Sequence, residues 1–392
     1  MQRTLKHGAL IVAALAMCAA ESFAGDAVTI NKGHEGKRPS IAADHKGGLH
    51  AAYEAYEGGS KVPDVFYTAS TDGGKTWADG VNISKTPGVS DDPAVACGKG
   101  GETVVVWCDT TSGSDSPDIF AVHSADNGKT WSKPGNVSNT PGKSAEPAVA
   151  IAPDGTVHVV WADTSAGEKH PDVWHSMSTD KGATWSKASN ISSTPGKSAE
   201  PAVACGPKGE VYVTWADTTS GEGSPDVYFT ASSDAGKTWS KPTDVSNTPG
   251  VSANPDIAAD DKGVYITWAD TSVGETHPDI FFAASWDHGK AFEKPVDLSK
   301  TPGISSDPAV CAHEGHVAVI WCDTSEHEKN PDIFCATSSD HGKTFGAAKD
   351  MSNTPGISKA PDVTIAGGNI CAIWEEEEDG KTHVKFASHP LK

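Results

Sequence analysis

The sequence contains very little arginine. Of its 31 basic residues only two are arginines, Arg3 and Arg38, and all the others are lysines. A site that holds a carboxylate with several bidentate, permanently charged donors needs more than one guanidinium group, and lysine replaces that group poorly. This scarcity excludes a binding pocket built from a cluster of arginines.

Long apolar runs are missing beyond residue 24, so no later stretch predicts a membrane-spanning helix. Residues 1–24 have a basic start, an apolar run from Ala9 to Ala20 and a final Ser22-Phe23-Ala24. That pattern is typical of a secretory signal peptide. We therefore predict a signal peptide at 1–24, a secreted or periplasmic protein and no insertion into a membrane.

Positive charge is scarce as well. Without residues 1–24 the chain has 29 basic and 51 acidic residues, a net charge of −22. Such a surface repels nucleic acid and anionic membranes and favours cationic or hydroxyl-rich partners. Alternatively, the negative charge keeps the protein soluble and has no role in binding. We predict no nucleic-acid partner, and we expect a monomer.

Cysteine patterns typical of zinc sites are absent. Seven cysteines follow residue 24, an odd number, and no CxxC or Cys/His spacing occurs among them. Most stand within apolar segments where other parts of the chain have Ala or Val. We expect buried single thiols rather than a disulfide framework.

The sequence does contain a unit of about 54 residues that repeats along nearly its whole length. Its signature is Ser-x-Asp-x-Gly-x-Thr-Trp, with spacings of 54, 54, 54, 53 and 53 residues between the aspartates. Such a period indicates a solenoid, a propeller or an array. The units span 39–92, 93–146, 147–200, 201–254, 255–307, 308–360, and 361–392 together with 26–33.

Each unit contains four short segments rich in Val, Ile, Trp or Thr, and turn residues separate them. In the third unit the predicted strands are 148–152, opened by Pro147, then 156–162, 172–178 and 184–191. No helical periodicity is sustained. The chain is therefore predicted to be all-β, a seven-bladed propeller of four-stranded antiparallel blades over 25–392. The last unit has three strands, and the N-terminal strand should complete it and close the ring.

The repeated signature resembles the Asp-box, or bacterial neuraminidase repeat, of the sialidase-like propellers. The clearest copies are Ser70–Trp77, Ser124–Trp131, Ser178–Trp185 and Ser232–Trp239, with variants at Ser285–Phe292 and Ser338–Phe345. The resemblance implies a structural turn on the face away from the ligand-binding funnel. The aspartates in that turn are Asp72, Asp126, Asp180, Asp234, Asp287 and Asp340.

Acidic residues recur at three further positions of the unit, all in loops on the face opposite to the Asp-box turns. Before strand one stand Asp92, Glu146, Glu200 and Asp307, with Asn254 between them and Arg38 in the first unit. Strand two ends at Asp109, Asp163, Asp217, Asp270 and Asp323. Strand three begins at Asp118, Asp172, Asp226, Asp279 and Asp332.

Two interpretations of these acids stay open. The carboxylates could cap their own loops as Asx turns and bind nothing. Alternatively, the residues before strand one and at the end of strand two contact a glycan or a cationic ligand, and the acids that open strand three hold calcium with the acids before them. Calcium is the only cofactor that the pattern suggests.

Three functions fit this sequence. The first is a non-catalytic, lectin-like propeller that binds carbohydrate through the acidic loop face. The second is an exo-acting glycoside hydrolase, for which two carboxylates suffice; a true sialidase is disfavoured, because the arginine triad of that family cannot be formed. The third is a protein-interaction scaffold. No catalytic residue is assigned.

Overall fold

The computed structural model describes residues 27–113, 116–167, 170–221, 223–273, 277–325, 330–354 and 356–391. The predicted signal peptide lies outside these ranges. Within them the chain forms seven sheets, each of four antiparallel strands. None of the described residues belongs to a helix that could cross a membrane. The predicted all-β, seven-bladed propeller is confirmed.

The blades follow one another along the chain, and each is described here by its strands one to four. The first strands are Gly36–Ala43, Ser90–Cys97, Ser144–Ile151, Ser198–Cys205, Ser252–Ala259, Ser305–His313 and Ile357–Ala366. The second strands are Leu49–Ala55, Thr103–Asp109, Val157–Asp163, Val211–Asp217, Val264–Asp270, His316–Asp323 and Asn369–Glu378. The third strands are Asp64–Ser70, Asp118–Ser124, Asp172–Ser178, Asp226–Ser232, Asp279–Ser285, Asp332–Ser338 and Lys381–Pro390. The fourth strands are Val81–Asn82, Gly135–Asn136, Ser189–Asn190, Thr243–Asp244, Val296–Asp297, Lys349–Asp350 and, for blade seven, Val28–Thr29.

The second strands form the core between blades. All seven residues of Val157–Asp163 are buried, because blades pack on both of its faces. The aromatic residue in the middle of each second strand is fully buried: Tyr53, Trp107, Trp161, Trp215, Trp268, Trp321 and Trp374. These rings therefore stabilise the contacts between blades and are not accessible to a ligand.

Two predicted strands differ from the observed ones. The first strand of blade three begins at Ser144, before Pro147, because a bulge at Glu146 and Pro147 lets the pairing continue past a residue without an N–H group. The fourth strand has only two residues, Ser189 and Asn190. Thr184, predicted to begin it, instead donates its N–H and its hydroxyl to the Asp180 carboxylate of the Asp-box turn.

The N-terminal strand closes the ring, as predicted. Val28 and Thr29 pair with Phe386 and Lys385 of blade seven. Ile30 is fully buried in the core shared by blades one and seven, and Asn31 accepts a hydrogen bond from the Val384 N–H at 2.8 Å. The closure leaves no sheet edge of blade seven unpaired at this position.

The first strands contact one another around the centre of the ring, and the first strand of blade seven contacts that of blade one. Since neighbouring strands in a blade run antiparallel, the strand one–two turns and the Asp-box turns lie on one face of the ring. The strand two–three loops and the connections between blades lie on the other. We refer to these as the Asp-box face and the loop face.

Candidate functional site

The residue before the strand-one proline stands at the same place in every blade, and together the seven form a ring around the axis. We call this set the axial ring: Arg38, Asp92, Glu146, Glu200, Asn254, Asp307 and Ala360. All seven have positive φ angles, between 45° and 55°. Non-glycine residues rarely adopt this conformation, and where it persists it is often at a functional site. Here the bulge before the proline imposes it in each blade.

Side chains of the axial ring reach from one blade to the next. The Glu200 N–H donates to Glu146 Oε2 at 2.7 Å, and the Asn254 N–H donates to Glu200 Oε2 at 2.6 Å. The innermost strand of a blade leaves such N–H groups without a partner in its own sheet, and a neighbouring carboxylate satisfies them. One oxygen of each of these two glutamates is thus engaged in holding the ring together.

Arg38 is at the centre of an ion-pair network where blades one and two meet. Its guanidinium contacts Asp92 Oδ1 at 2.6 Å and Glu54 Oε1 at 3.3 Å, and 53% of its side chain is exposed. Burial opposes its charge, but Asp92 and Glu54 raise its pKa overall. Glu54 also accepts the Asp92 N–H at 3.0 Å. The one arginine among the described residues is therefore oriented by two carboxylates and still faces solvent.

The environment favours protonation of two acids of the axial ring and of Glu54 beside it. Burial raises the pKa of Glu200, and the charges of Glu146 and Asp307 add to that effect. Burial likewise raises the pKa of Asp307 and of Glu54. A protonated carboxyl group can both donate and accept hydrogen bonds, which suits a hydroxyl-rich ligand.

The acids at the end of strand two lie elsewhere, below the surface. Asp109, Asp163, Asp217, Asp270 and Asp323 are all fully buried. In blade three, Asp163 accepts from Trp161 Nε1 at 3.0 Å, from the hydroxyls of Thr140 and Ser144 at 2.6 and 2.7 Å, and from the Ser165 N–H at 2.7 Å. The same four kinds of donor surround the other four aspartates. These carboxylates hold the loops in place, and we leave them out of the proposed site.

The acids that open strand three also bond within their own blade. Asp118 accepts from Asn136 Nδ2 at 2.8 Å and from the Ser138 hydroxyl at 3.0 Å, and Asp172 does the same with Asn190 and Ser192. In the last three of these blades an aspartate replaces the asparagine, so that Asp226, Asp279 and Asp332 stand near Asp244, Asp297 and Asp350.

In the part of the chain that the structure describes, no group of three or more His, Cys, Asp or Glu side chains is placed to hold a metal ion. His327, one of the histidines of the strand two–three loops, lies outside the described residues. Calcium at Asp118, Asp172, Asp226, Asp279 and Asp332 stays a prediction, and we build nothing on it.

Four functional candidates were missed in the sequence. Glu54 and Glu375 occupy a strand-two position that is Ala or Cys in the other five blades, and Glu375 accepts the Arg38 N–H at 3.3 Å. Asp256 and Asp362 replace the Ala or Ser of the other first strands, and each accepts a backbone N–H from the next blade. Burial raises the pKa of Asp256 to about 7. The signal in all four is a departure from the repeat.

Solved structures with the same overall fold include carbohydrate-active enzymes. A protein of unknown function from Dyadobacter fermentans has a TM-score of 0.58 and 16% identity, over 94% of this chain and 98% of that one. An ulvan lyase of polysaccharide lyase family PL25 has a TM-score of 0.63 and 10% identity, over 93% and 96% of the two chains. The Hadza microbial sialidase Hz136 has a TM-score of 0.55 and 15% identity, over 91% and 66%. At these identities the likeness establishes the fold alone.

No curated protein matches the chain. The family model for the BNR repeat-like domain matches residues 47–319, which is well over half of the sequence. That range contains all the Asp-box turns of blades one to five, each with its Ser and Asp hydrogen-bonded as in blade three. The chain therefore belongs to the BNR repeat-like family of sialidase-like propellers.

Proposed function

We propose that this protein is an exported, non-catalytic propeller that binds carbohydrate at the axial ring. The observation that carries the proposal is the ring itself: carboxylates from four blades, one amide and one partly exposed arginine surround a single axis on the loop face. Oxygen acceptors and a few fixed donors around one axis suit the hydroxyl groups of a glycan. A sialidase and a polysaccharide lyase with the same fold make a carbohydrate ligand the natural first candidate.

The arginine content argues against one catalytic alternative. Beyond residue 24 the sequence holds a single arginine, Arg38, which Asp92 and Glu54 already contact. Three guanidinium groups around one substrate carboxylate cannot be assembled. Exo-sialidase activity is therefore not part of the proposal.

Glycan-array binding of residues 25–392 tests the proposal, with and without a chelator. We expect binding that Glu146→Gln combined with Glu200→Gln weakens at least tenfold, because glutamine keeps the acceptor for the backbone N–H but removes the charge. Asp261→Asn, an exposed residue of a strand one–two turn on the Asp-box face, is the control and should bind like wild type. An array on which nothing is bound would refute the proposal, and loss of binding with the chelator would favour a bound cation.

Glycoside hydrolysis is the second candidate, and one observation favours it. Burial raises the pKa of Glu200, whose N–H contacts Glu146, and a glycosidase needs two carboxyl groups at one site. If the ring is catalytic, the protein releases reducing sugar from glycans that it binds, and Glu200→Gln abolishes that release while binding persists. Absence of reducing-sugar release from every bound glycan would leave the binding function alone.

A further inference from the structure

A cavity of about 570 Å³ lies at the outer rim between blades two and three. We call it the rim cleft. Its walls are the third and fourth strands of blade two and the Asp-box segment of blade three, with Trp174 and Trp185 among the lining residues. Its size falls within the roughly 300–1,000 Å³ of small-molecule sites. It is remote in the fold from the axial ring, since it involves the outer strands and not the inner ones.

The rim cleft lacks an aromatic contact that recurs at other junctions of the repeat. At other junctions an aromatic ring in strand three packs edge-on against the Asp-box aromatic of the next blade, with centroids 4.7–5.2 Å apart: Tyr67–Trp131, His175–Trp239, Phe229–Phe292, Phe282–Phe345 and Phe386–Trp77. In blade two the corresponding residue is Ala121. Trp185 therefore has an alanine where the other Asp-box rings have an aromatic partner.

Two further departures from the repeat line the same cleft. Gly135 is the cross-strand partner of Ala121, and a Cβ atom built on it would meet nothing within 4 Å. The other blades have larger residues there: Val81, Ser189, Thr243, Val296 and Lys349. Ala183 stands where the other five Asp-boxes have lysine: Lys75, Lys129, Lys237, Lys290 and Lys343. Ala121, Gly135 and Ala183, which all line the rim cleft, are thus smaller than their counterparts in the other blades.

One residue of the rim cleft is instead enlarged. Trp174 occupies a strand-three position that is Phe or Tyr in the neighbouring blades: Phe66, Phe120, Tyr228, Phe281 and Phe334. Three smaller residues and one larger aromatic ring distinguish the lining of the rim cleft from that of its counterparts, while its volume is similar to the roughly 600 and 700 Å³ of the clefts between blades four and five and between blades one and two. Indole rings offer flat apolar faces with a wide contact area, and the apolar C–H faces of a sugar ring can pack on them.

The charge of the rim cleft is opposite to that of the protein. Lys133, Lys187 and His123 line it, and among the described residues no aspartate or glutamate does. The corresponding cleft between blades four and five includes Asp244 and Glu293, whereas the lining of the one between blades one and two holds Lys85 and Lys133 and no acid among the described residues. In a chain of net charge −21, an acid-free cleft with two lysines complements an anionic group. Asn139, also in the lining, adds an amide for hydroxyl groups.

From these observations we propose that the rim cleft binds an acidic sugar residue, with its ring against Trp174 and Trp185 and its carboxylate or sulfate near Lys133 and Lys187. The inference rests on the proposed carbohydrate-binding function but places a second site away from the axial ring. The proposed site binds its ligand without a metal ion and without a catalytic step.

Repeat-guided substitutions test it on an array of oligogalacturonates, oligoglucuronates and sulfated oligosaccharides, each beside its neutral counterpart. Ala121→Phe installs the residue of blades four and five and should fill the cleft, weakening binding of acidic glycans at least tenfold without lowering the unfolding temperature. Lys133→Gln with Lys187→Gln should remove the preference for acidic over neutral glycans and its dependence on salt. Lys294→Gln, in the cleft between blades four and five, is the matched control.

The outcomes separate the two sites. Loss of acidic-glycan binding in the cleft variants, with binding retained in Glu146→Gln/Glu200→Gln, supports the rim cleft even if the axial proposal fails. Binding that survives Ala121→Phe and the double lysine variant overturns the inference, whatever the axial variants do. So does an array on which no acidic glycan binds better than its neutral counterpart.

Discussion

At the scale of single residues, the position of a carboxylate decides what it does. Asp163 and Glu146 belong to the same blade and lie on the same loop face, yet Asp163 is fully buried with four donors whereas Glu146 is exposed at the axis. Buried polar groups without partners are costly, so the donors around Asp163 depend on it. The repeated acids are therefore of two kinds, structural and accessible.

Asp163→Ala tests the structural role. The substitution leaves Trp161 Nε1, the Ser165 N–H and two hydroxyls without their acceptor, and we expect the free energy of unfolding to fall by about 3 kcal/mol or more. Urea denaturation followed by tryptophan fluorescence measures it. Asp261→Ala, which removes an exposed carboxylate paired only with Lys262, should stay within about 0.5 kcal/mol of wild type. Equal effects of the two substitutions would contradict the assignment.

His158 and His175 predict a pH dependence. Their rings meet at 3.1 Å, and burial lowers the pKa of His158 to about 4 and of His175 to about 3. Above the unfolded value of about 6.5, both are neutral in either state and stability is unaffected. Below it the unfolded chain binds more protons, so stability falls as the pH drops toward 3.

His175→Phe, which copies Phe229 and Phe282, should weaken that dependence. Between pH 6 and 4 the slope of unfolding free energy against pH should decrease by up to about 1.4 kcal/mol per pH unit, the contribution of one buried histidine. Denaturant unfolding at several pH values, on wild type and variant in parallel, isolates this difference from the titrating carboxylates. Identical slopes would mean that His175 is not held neutral by burial.

At the scale of the element, the Asp-box turn is both a hairpin cap and an inter-blade contact. In blade three the Ser178 hydroxyl donates to Asp180 Oδ1 and accepts the Gly182 N–H, and the hydrogen bonds from the turn lower the pKa of Asp180 to about 2. The conserved-spacing glycine of each Asp-box signature, Ser-x-Asp-x-Gly, packs against a side chain of the preceding blade. Gly128, for example, would place a Cβ atom against the Tyr67 ring.

Two adjacent glycines of the first Asp-box separate these roles. Both Gly73 and Gly74 have positive φ, but a Cβ on Gly74 would lie 2.0 Å from Phe386 whereas one on Gly73 would meet nothing within 4 Å. Gly73→Ala should therefore cost only the backbone strain, about 1 kcal/mol. Gly74→Ala adds a clash with blade seven and should cost roughly 1–3 kcal/mol more. Thermal and denaturant unfolding compare the pair; equal losses would show that the turn does not contact blade seven.

At the scale of the whole molecule, stability depends on closure. Each blade packs on two neighbours, and blades one and seven are joined by their own contacts and by the N-terminal strand. Residues 27–31 contribute two paired residues, the buried Ile30 and the hydrogen-bonded Asn31. A short segment thus covers the sheet edge of blade seven.

Deleting residues 25–31 should expose that edge. We expect a lower unfolding temperature and concentration-dependent association, since an unpaired strand edge is a template for pairing with another chain. Calorimetry and size-exclusion chromatography measure the two effects, and deletion of residues 25–26 alone is the control. A truncated chain that stays monomeric with unchanged unfolding temperature would contradict the role of this strand.

Blade number, strand order and closure could all be read from the sequence, because they depend on local and repeated signals. The 54-residue period, the Asp-box turns and the match of residues 27–33 to a fourth strand recur with fixed spacing. Local turn chemistry and strand patterning hold in every copy, so each unit repeats the same evidence. The predicted strand limits were less accurate at Pro147, which lies in a bulge, and at Thr184, which bonds to the Asp180 side chain. A pattern of apolar residues reveals neither feature.

Only the tertiary structure decided which acids are accessible and which neighbours they have. Asp163 and Glu146 look alike in a repeat, but burial depends on packing between blades. The Arg38 N–H meets Glu375, 337 residues away in the chain, and Trp185 faces Ala121 across a blade boundary. Such contacts join different units, whereas a repeat describes one unit at a time, and for that reason the axial ring network and the rim cleft emerge only when the seven blades are assembled.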